Sequence, residues 1–249
     1  MDWGFDLVGI ATDPGSGLTP KVAQRLGVHL LDPSRPLGPQ YRELLLRYDR
    51  VLSLHASEKV CPVIKLAIRE AEATDPRRVL VHDTGLGSAG LGAAVQRASE
   101  LLLEGAEETA ILEELRRLRQ EGRFLLLSGD LRALVKNRLL PPLGDRFGEA
   151  LGLWALLTME RGSFKVPPLP VPQNQVPEVL ATTLRRFLRR RRVRVRALFG
   201  RGLDPALQPR LKEALAKELV LESGSLGPMD PLATSRVGEK AIAVFAYPI

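Results

Sequence analysis

Residues Val79 to Leu103 constrain the fold of this chain most. Val79-Leu80-Val81-His82-Asp83 is a short apolar β-type run, Thr84 to Gly92 is a turn of small residues, and Ala93 to Leu103 is helical in pattern. A strand, a small-residue turn and a helix in that order make a βα unit. Such turns lie at the carboxyl edge of a parallel sheet, where open α/β folds bind their ligands.

Gly85, Gly87 and Gly90 fit the G-x-G-x-x-G spacing of a dinucleotide turn. Two details argue against a nicotinamide or flavin. His82 and Asp83 stand where the strand should run straight into the first glycine. An acidic residue is expected about 20 positions later, at the end of a second strand, but the chain passes through Glu104-Gly105-Ala106-Glu107 into a helix from Thr109 to Arg119. The glycines then serve a tight turn and close helix–strand packing. No cofactor is expected, and one cysteine with three scattered histidines offers no metal-ligand spacing.

The βα pattern repeats through the first half. Strands are expected at Leu7–Ala11, Val28–Leu31, Val51–His55 and Val79–His82, with helices at Pro20–Leu26 and Val60–Glu72. This alternation implies a doubly wound parallel sheet. After Gln120-Glu121-Gly122 the pattern changes. Strands at Phe124–Ser128, Arg192–Phe199 and Ala241–Tyr247 mix with helices at Leu131–Asn137, Val176–Leu188 and Pro205–Glu218. Gly148 to Met159 mixes both signals, and the Pro-rich Val166 to Pro177 reads as a linker. The expected fold is a Rossmann-like α/β domain over 1–121 and an α+β domain over 122–249, with a ligand cleft between them.

No apolar run approaches the ~20 residues that span a bilayer, and no signal peptide is visible, so a cytoplasmic location is expected. The net charge is +7, and much of the excess lies between Arg185 and Arg196. That stretch could meet a polyanion or form a solvated helix face running into a half-exposed strand, in which Arg194 and Arg196 alternate with Val193, Val195 and Ala197. It lacks the interleaved aromatics that stack on bases, which argues against nucleic acid.

Several segments, in order, resemble the DegV family of two-domain fatty-acid-binding proteins. Asp83-Thr84, Ser88, Gly90 and Gly92 are similar to the family's Asp-Ser and Ser-x-Gly-x-Gly. Thr12-Asp13-Pro14 resembles its Thr-Asp-Ser, and Tyr41-Arg42-Glu43 its Tyr-x-Asp. Val51 to Ala67 resembles its strand, Ser-Ser turn and helix, with Ser57 on the first serine. Lys136-Asn137-Arg138 resembles its Lys-Gly-Gly-Arg, and Gly224-Ser225-Leu226-Gly227-Pro228 its His-x-Gly-Pro-Gly.

The resemblance implies a non-enzymatic carrier that holds an acyl chain between its domains and presents it to a fatty-acid kinase subunit. Ser57, Thr12, Asp13, Thr84 and Ser225 are the implied ligand contacts, and Arg138 the implied partner contact. The departures fall on the head-group site. The family's Thr-Ser-x-Pro-Ser loop and its helix have no visible counterpart, Glu58 replaces the second serine, and Ser225 stands for the histidine. Glu58 either faces the pocket and repels a carboxylate or faces solvent. The other reading is an interaction module whose lipid site has decayed, engaging an acidic partner through the arginine-rich stretch. A third is an α/β enzyme using Asp13 and Asp83 on a phosphate-bearing substrate. Asx-turns are the commoner use of such aspartates, and Ser88 is expected to cap its helix.

Overall fold

The computed structural model describes residues 7–141, 151–165 and 170–249. Its first half is a parallel sheet of β1 (Val8–Thr12), β2 (Val28–Leu30), β3 (Arg50–His55) and β4 (Val79–Asp83) in the order β2-β1-β3-β4. The connecting helices are α1 (Pro20–Arg25), α2 (Leu37–Leu45) and α3 (Val63–Thr74); α4 (Ala89–Leu103) and α5 (Glu108–Glu121) follow β4. Strand order reverses between β1 and β3, which makes their carboxyl ends the topological switch point.

Side-chain alternation along the strands feeds two cores. Ala11, Val51 and Val79 pack under Leu37, Tyr41 and Ala67 of α2 and α3. Ile10, Leu52 and Leu54 face the other way, toward α4. Tyr41, Leu37 and Leu44 recur at helical spacing, so the helix expected to be missing before β3 is present as α2. Pro33-Ser34-Arg35-Pro36 leads into it.

The second half is built from β5 (Arg123–Ser128), α6 (Leu131–Lys136), β6 (Leu153–Glu160), β7 (Ser163–Lys165), β8 (Pro170–Pro172), α7 (Val176–Leu188), β9 (Arg192–Phe199), α8 (Leu207–Glu218), β10 (Val220–Pro228), α9 (Pro231–Val237) and β11 (Ala241–Pro248). Its mixed sheet has the order β10-β9-β11-β5-β6-β7, with β8 also paired to β6. Part of the expected linker is therefore strand, and Pro177 stands in the first turn of α7, where a missing N–H costs nothing. Residues 148–150 of the mixed-signal segment and 166–169 of the linker lie outside the described residues; 153–160 is strand.

One face of the mixed sheet packs Val193, Val195, Ile242 and Val244 against Leu180, Leu184 and Leu211 of α7 and α8. The other packs Leu126, Leu198 and Phe245 against α4 and α5. α4 is thus enclosed by both sheets, and its residues are small for that reason. A Cβ at Gly92 would stand 2.3 Å from the Ser16 carbonyl oxygen, and one at Gly90 would crowd Phe245 at 3.3 Å. The Ser-x-Gly-x-Gly glycines serve layer packing.

The same geometry corrects the arginine expectation. Arg194 and Arg196 do not form a solvated strand face. They share the inward face of β9 with Leu198, toward α4. Arg194 bonds Glu100 of α4 at 2.5 Å, and Arg196 is 5% exposed. Further along the stretch, Arg185 pairs with Glu218, Arg191 with Glu121 and Arg192 with Glu222. Among the described residues, no helix is long and apolar enough to cross a membrane.

Candidate functional site

The switch point carries a sealed chain of polar side chains. Ser53 and His55, two apart on β3, share the face that looks onto α2. Tyr41 Oη lies 3.0 Å from Ser53 Oγ, Ser53 Oγ lies 2.8 Å from His55 Nε2, and His55 Nδ1 lies 2.7 Å from Asp13 Oδ2. All four are buried. Asp13 Oδ1 accepts from the Gly15 N–H at 2.8 Å, an Asx-turn that closes the loop after β1. Asp83 makes the matching turn after β4, accepting from the Gly85 N–H at 2.7 Å. Both aspartates thus follow the Asx-turn reading, and among the described residues no His/Cys/Asp/Glu group could hold a metal ion.

Thr84 is equally committed. Its hydroxyl donates to the His55 carbonyl at 2.8 Å and ties the β4 loop to β3. Ser57 is 3% exposed; its Oγ accepts from the Lys59 N–H at 3.4 Å and touches the β6–β7 turn, where a Cβ on Gly162 would come within 2.4 Å. Thr12 differs. It lies on the inner face of β1, fully buried, and its Oγ1 has no partner.

Glu58 faces solvent and pairs with Lys65 at 3.0 Å, so it repels nothing in a pocket. Ser225 lies on β10 beside Arg196. Arg138 is exposed at the end of α6, where the adjacent Asn137 amide donates to the Ser235 and Arg236 carbonyls of α9.

Between the two sheets, beyond the carboxyl ends of β1 and β3, a narrow cleft of about 50 Å³ is lined by Ala56, Val60, Leu126, Phe164, Leu232 and Ala233. Cys61, Ser88, Asp230 and Arg236 supply its polar groups. Ser88 does not cap α4: its Oγ is buried with no partner, and its backbone is held at φ 47°. A non-glycine residue there is strained by about 1–3 kcal/mol. Ser88→Gly is expected to raise stability in urea unfolding by about 1 kcal/mol, the relieved strain exceeding the added chain entropy. A fall in stability would show that the hydroxyl holds the loop.

Asp230 caps α9 through Oδ1, which accepts from the Ala233 N–H at 2.9 Å, while its Oδ2 is buried and unpartnered. Burial raises the Asp230 pKa, with the nearby Asp13 charge pushing the same way and the Ala233 N–H opposing. Burial also raises the Cys61 thiol. Arg236 bonds the Val60 carbonyl across the cleft and is its one positive side chain among the described lining residues. Asp230 and Arg236 were not singled out in the sequence, although Asp230-Pro231 is a readable helix start.

Residues 39–249 match the family model described as uncharacterised proteins of the DegV family. A DegV domain-containing protein of Staphylococcus aureus strain MRSA252 is 24% identical over 148 residues, 59% of this chain and 53% of that protein, so the match spans about half the relative's length. A DegV family protein from Thermus thermophilus, solved as a fatty-acid-binding protein, superposes with a TM-score of 0.84 at 26% identity, covering 98% of this chain and 100% of that one. A DegV family protein from Corynebacterium glutamicum gives 0.85 at 18% identity, with 98% of each chain covered. A Thermotoga maritima protein described as revealing fatty acid binding gives 0.82 at 17%, covering 98% of this chain and 100% of that one. Two sheets sharing α4, the retained motif order and these likenesses have one account: the chain belongs to the DegV family.

Proposed function

We propose that this protein binds a fatty acid in the cleft between its parallel-sheet half, residues 1–121, and its mixed-sheet half, residues 122–249, and carries it without catalysing a reaction. The observation that carries the reading is the cleft itself. Apolar side chains from both sheets meet at the carboxyl edge of the parallel one, together with buried polar atoms on Ser88 and Asp230 that have no partner. Unpaired buried polar groups are costly, and a ligand head group would satisfy them. The Thermus thermophilus relative, at 26% identity over its whole length, supports the same ligand class.

Arg236 is the anchor for the carboxylate in this reading, in place of the serine pair and histidine that the family motif would supply. Burial raises the Asp230 pKa, which shifts this carboxyl toward the protonated form able to donate a second hydrogen bond. A cleft of about 50 Å³ is the room of a few water molecules, so the acyl chain enters by parting α9 and Phe164 from the parallel-sheet side. Exposed Arg138, beside α9, is the proposed contact for a kinase subunit that would receive the carboxyl group.

Solvent extraction of the purified protein, with native mass spectrometry of the intact chain, tests this directly. A stoichiometric acyl species is expected. A ligand-free mass that does not shift on adding oleate would overturn the carrier reading and leave the interaction-module alternative. Arg236→Met is expected to weaken a fatty acid by about 1.5–3 kcal/mol, the contribution of a hydrogen bond to a charged group, while leaving the corresponding fatty alcohol unaffected. Equal losses for acid and alcohol would remove Arg236 from the head-group site.

A further inference from the structure

A second cavity, separate from the lipid cleft, lies on the other flank of the seam between the halves. It measures about 380 Å³ and is walled by α1, α4 and the strands β9 and β10. Arg25, Arg194 and Arg196 line it, with Thr19, Gln96 and Ser225 between them. The arginines are unequal. Arg194 is shared with Glu100, which also takes Arg97 and Gln96. Arg25 is exposed and makes no ion pair among the described residues.

Arg196 is the unusual one. Its side chain is buried against Gly92, with Nη2 on the Gly17 carbonyl at 2.9 Å and Nη1 at 3.4 Å from Ser225 Oγ; Nε has no partner. Among the described residues, no carboxylate meets it. Burial pulls its pKa down to about 10, which leaves it charged at neutral pH. A buried charge calls for a counter-charge, and none of the described residues supplies one to Arg196.

We propose that this cavity is a binding site for a small phosphate-bearing anion. Arginine forks match phosphate oxygens in pairs. A phosphate brings close to two negative charges at neutral pH, against one for a carboxylate, which suits a site with two arginines lacking acidic partners. The hydroxyls of Thr19 and Ser225 and the Gln96 amide complete a polar wall. As the edge strand, β10 also leaves alternate backbone groups unpaired along the cavity rim. The volume is at the low end for small-molecule sites, enough for a phosphate ester of modest size.

The test titrates the intact protein with inorganic phosphate and with phenyl phosphate, against chloride at matched ionic strength, and reads the melting temperature and the binding heat. Saturable binding of phosphate over chloride is expected. Tighter binding of phenyl phosphate would identify an organic ester as the ligand type, and equal binding free phosphate; both support the site. Arg25→Met and Arg196→Met are each expected to weaken phosphate by about tenfold or more, and Arg196→Lys, which keeps the charge, is expected to retain part of the binding. Arg185→Met, on the exposed face of α7, leaves it unchanged. No saturable shift at millimolar phosphate would overturn the proposal. So would a shift that survives Arg25→Met and Arg196→Met, or one that Arg185→Met reduces equally, since the binding would then belong to the arginine-rich surface. Fatty-acid occupancy, read on the same samples, reports the lipid cleft independently.

Discussion

Asp13→Ala should cost about 2–6 kcal/mol of folding stability, because it leaves two buried donors unsatisfied at about 1–3 kcal/mol each. Asp13 and His55 are both fully enclosed, and the Nδ1–Oδ2 distance is 2.7 Å. The other carboxylate oxygen holds the Gly15 N–H. Alanine would strand both donors in a dry site that water cannot readily reach.

The chain of bonds has one consistent direction when His55 is neutral. Tyr41 O–H donates to Ser53, Ser53 O–H donates to His55 Nε2, and the His55 Nδ1–H donates to Asp13, so each donor meets one acceptor. Asp13→Asn keeps the volume but sets its amide donor against either the His55 Nδ1–H or the Gly15 N–H. Its expected loss is smaller, about 1–3 kcal/mol. Tyr41→Phe removes only the far end and should cost about 0.5–1.5 kcal/mol. Urea unfolding of the three variants checks the order. If Asp13→Ala loses less than Tyr41→Phe, the pair does not hold β1 to β3. Because Ser53 and His55 have no access to solvent, the relay fixes the switch point from behind and meets no substrate.

Most of the parallel half was legible because each strand is an apolar run bounded by a turn and followed by a periodic helix. Leu52 and Leu54, for example, alternate with Val51 and Ser53. α2 is hard to see in the sequence because Pro36, Gly38 and Pro39, weak helix formers, crowd its start. Its Leu37, Tyr41 and Leu44 form a visible stripe, but Tyr41-Arg42-Glu43 also resembles a family motif, and the two readings compete. β10 left no alternation to read. It is an edge strand held only by β9, mostly exposed, and Ser223-Gly224-Ser225 and Gly227-Pro228 look like turns. Arg194 and Arg196 show a different limit. Their alternation is plain in the sequence, but pattern alone says which residues share a face, and not that α4 and a second sheet cover that face. For the same reason the cleft residues Asp230 and Arg236 escaped notice: they come from an element of seven residues whose position depends on the closing of the second sheet.

Ala233→Trp is expected to abolish most fatty-acid binding while leaving the fold intact. Ala233 is half-buried on α9 and lines the cleft opposite Val60 and Leu126. The Asp230 cap reaches its backbone N–H, which the substitution keeps. An indole in this position fills the space that the first methylenes of an acyl chain must take. Each methylene kept out forfeits about 0.8 kcal/mol, so excluding three removes about 2.4 kcal/mol, or an affinity loss of about 50-fold. Burying the indole offsets part of any packing disturbance, and the melting temperature of the lipid-free protein should stay near that of the parent. The lipid-dependent rise in melting temperature should shrink in step with affinity, because ligand stabilisation follows the ratio of free ligand to Kd. The phosphate response at Arg25 and Arg196 should be unaltered, since that cavity shares no lining residue with this one. Native mass spectrometry with oleate decides the matter. If Ala233→Trp carries as much lipid as the parent, the acyl chain runs elsewhere between the sheets. The neighbouring cavity under Phe124, Met159 and Phe245 would then become the path to block.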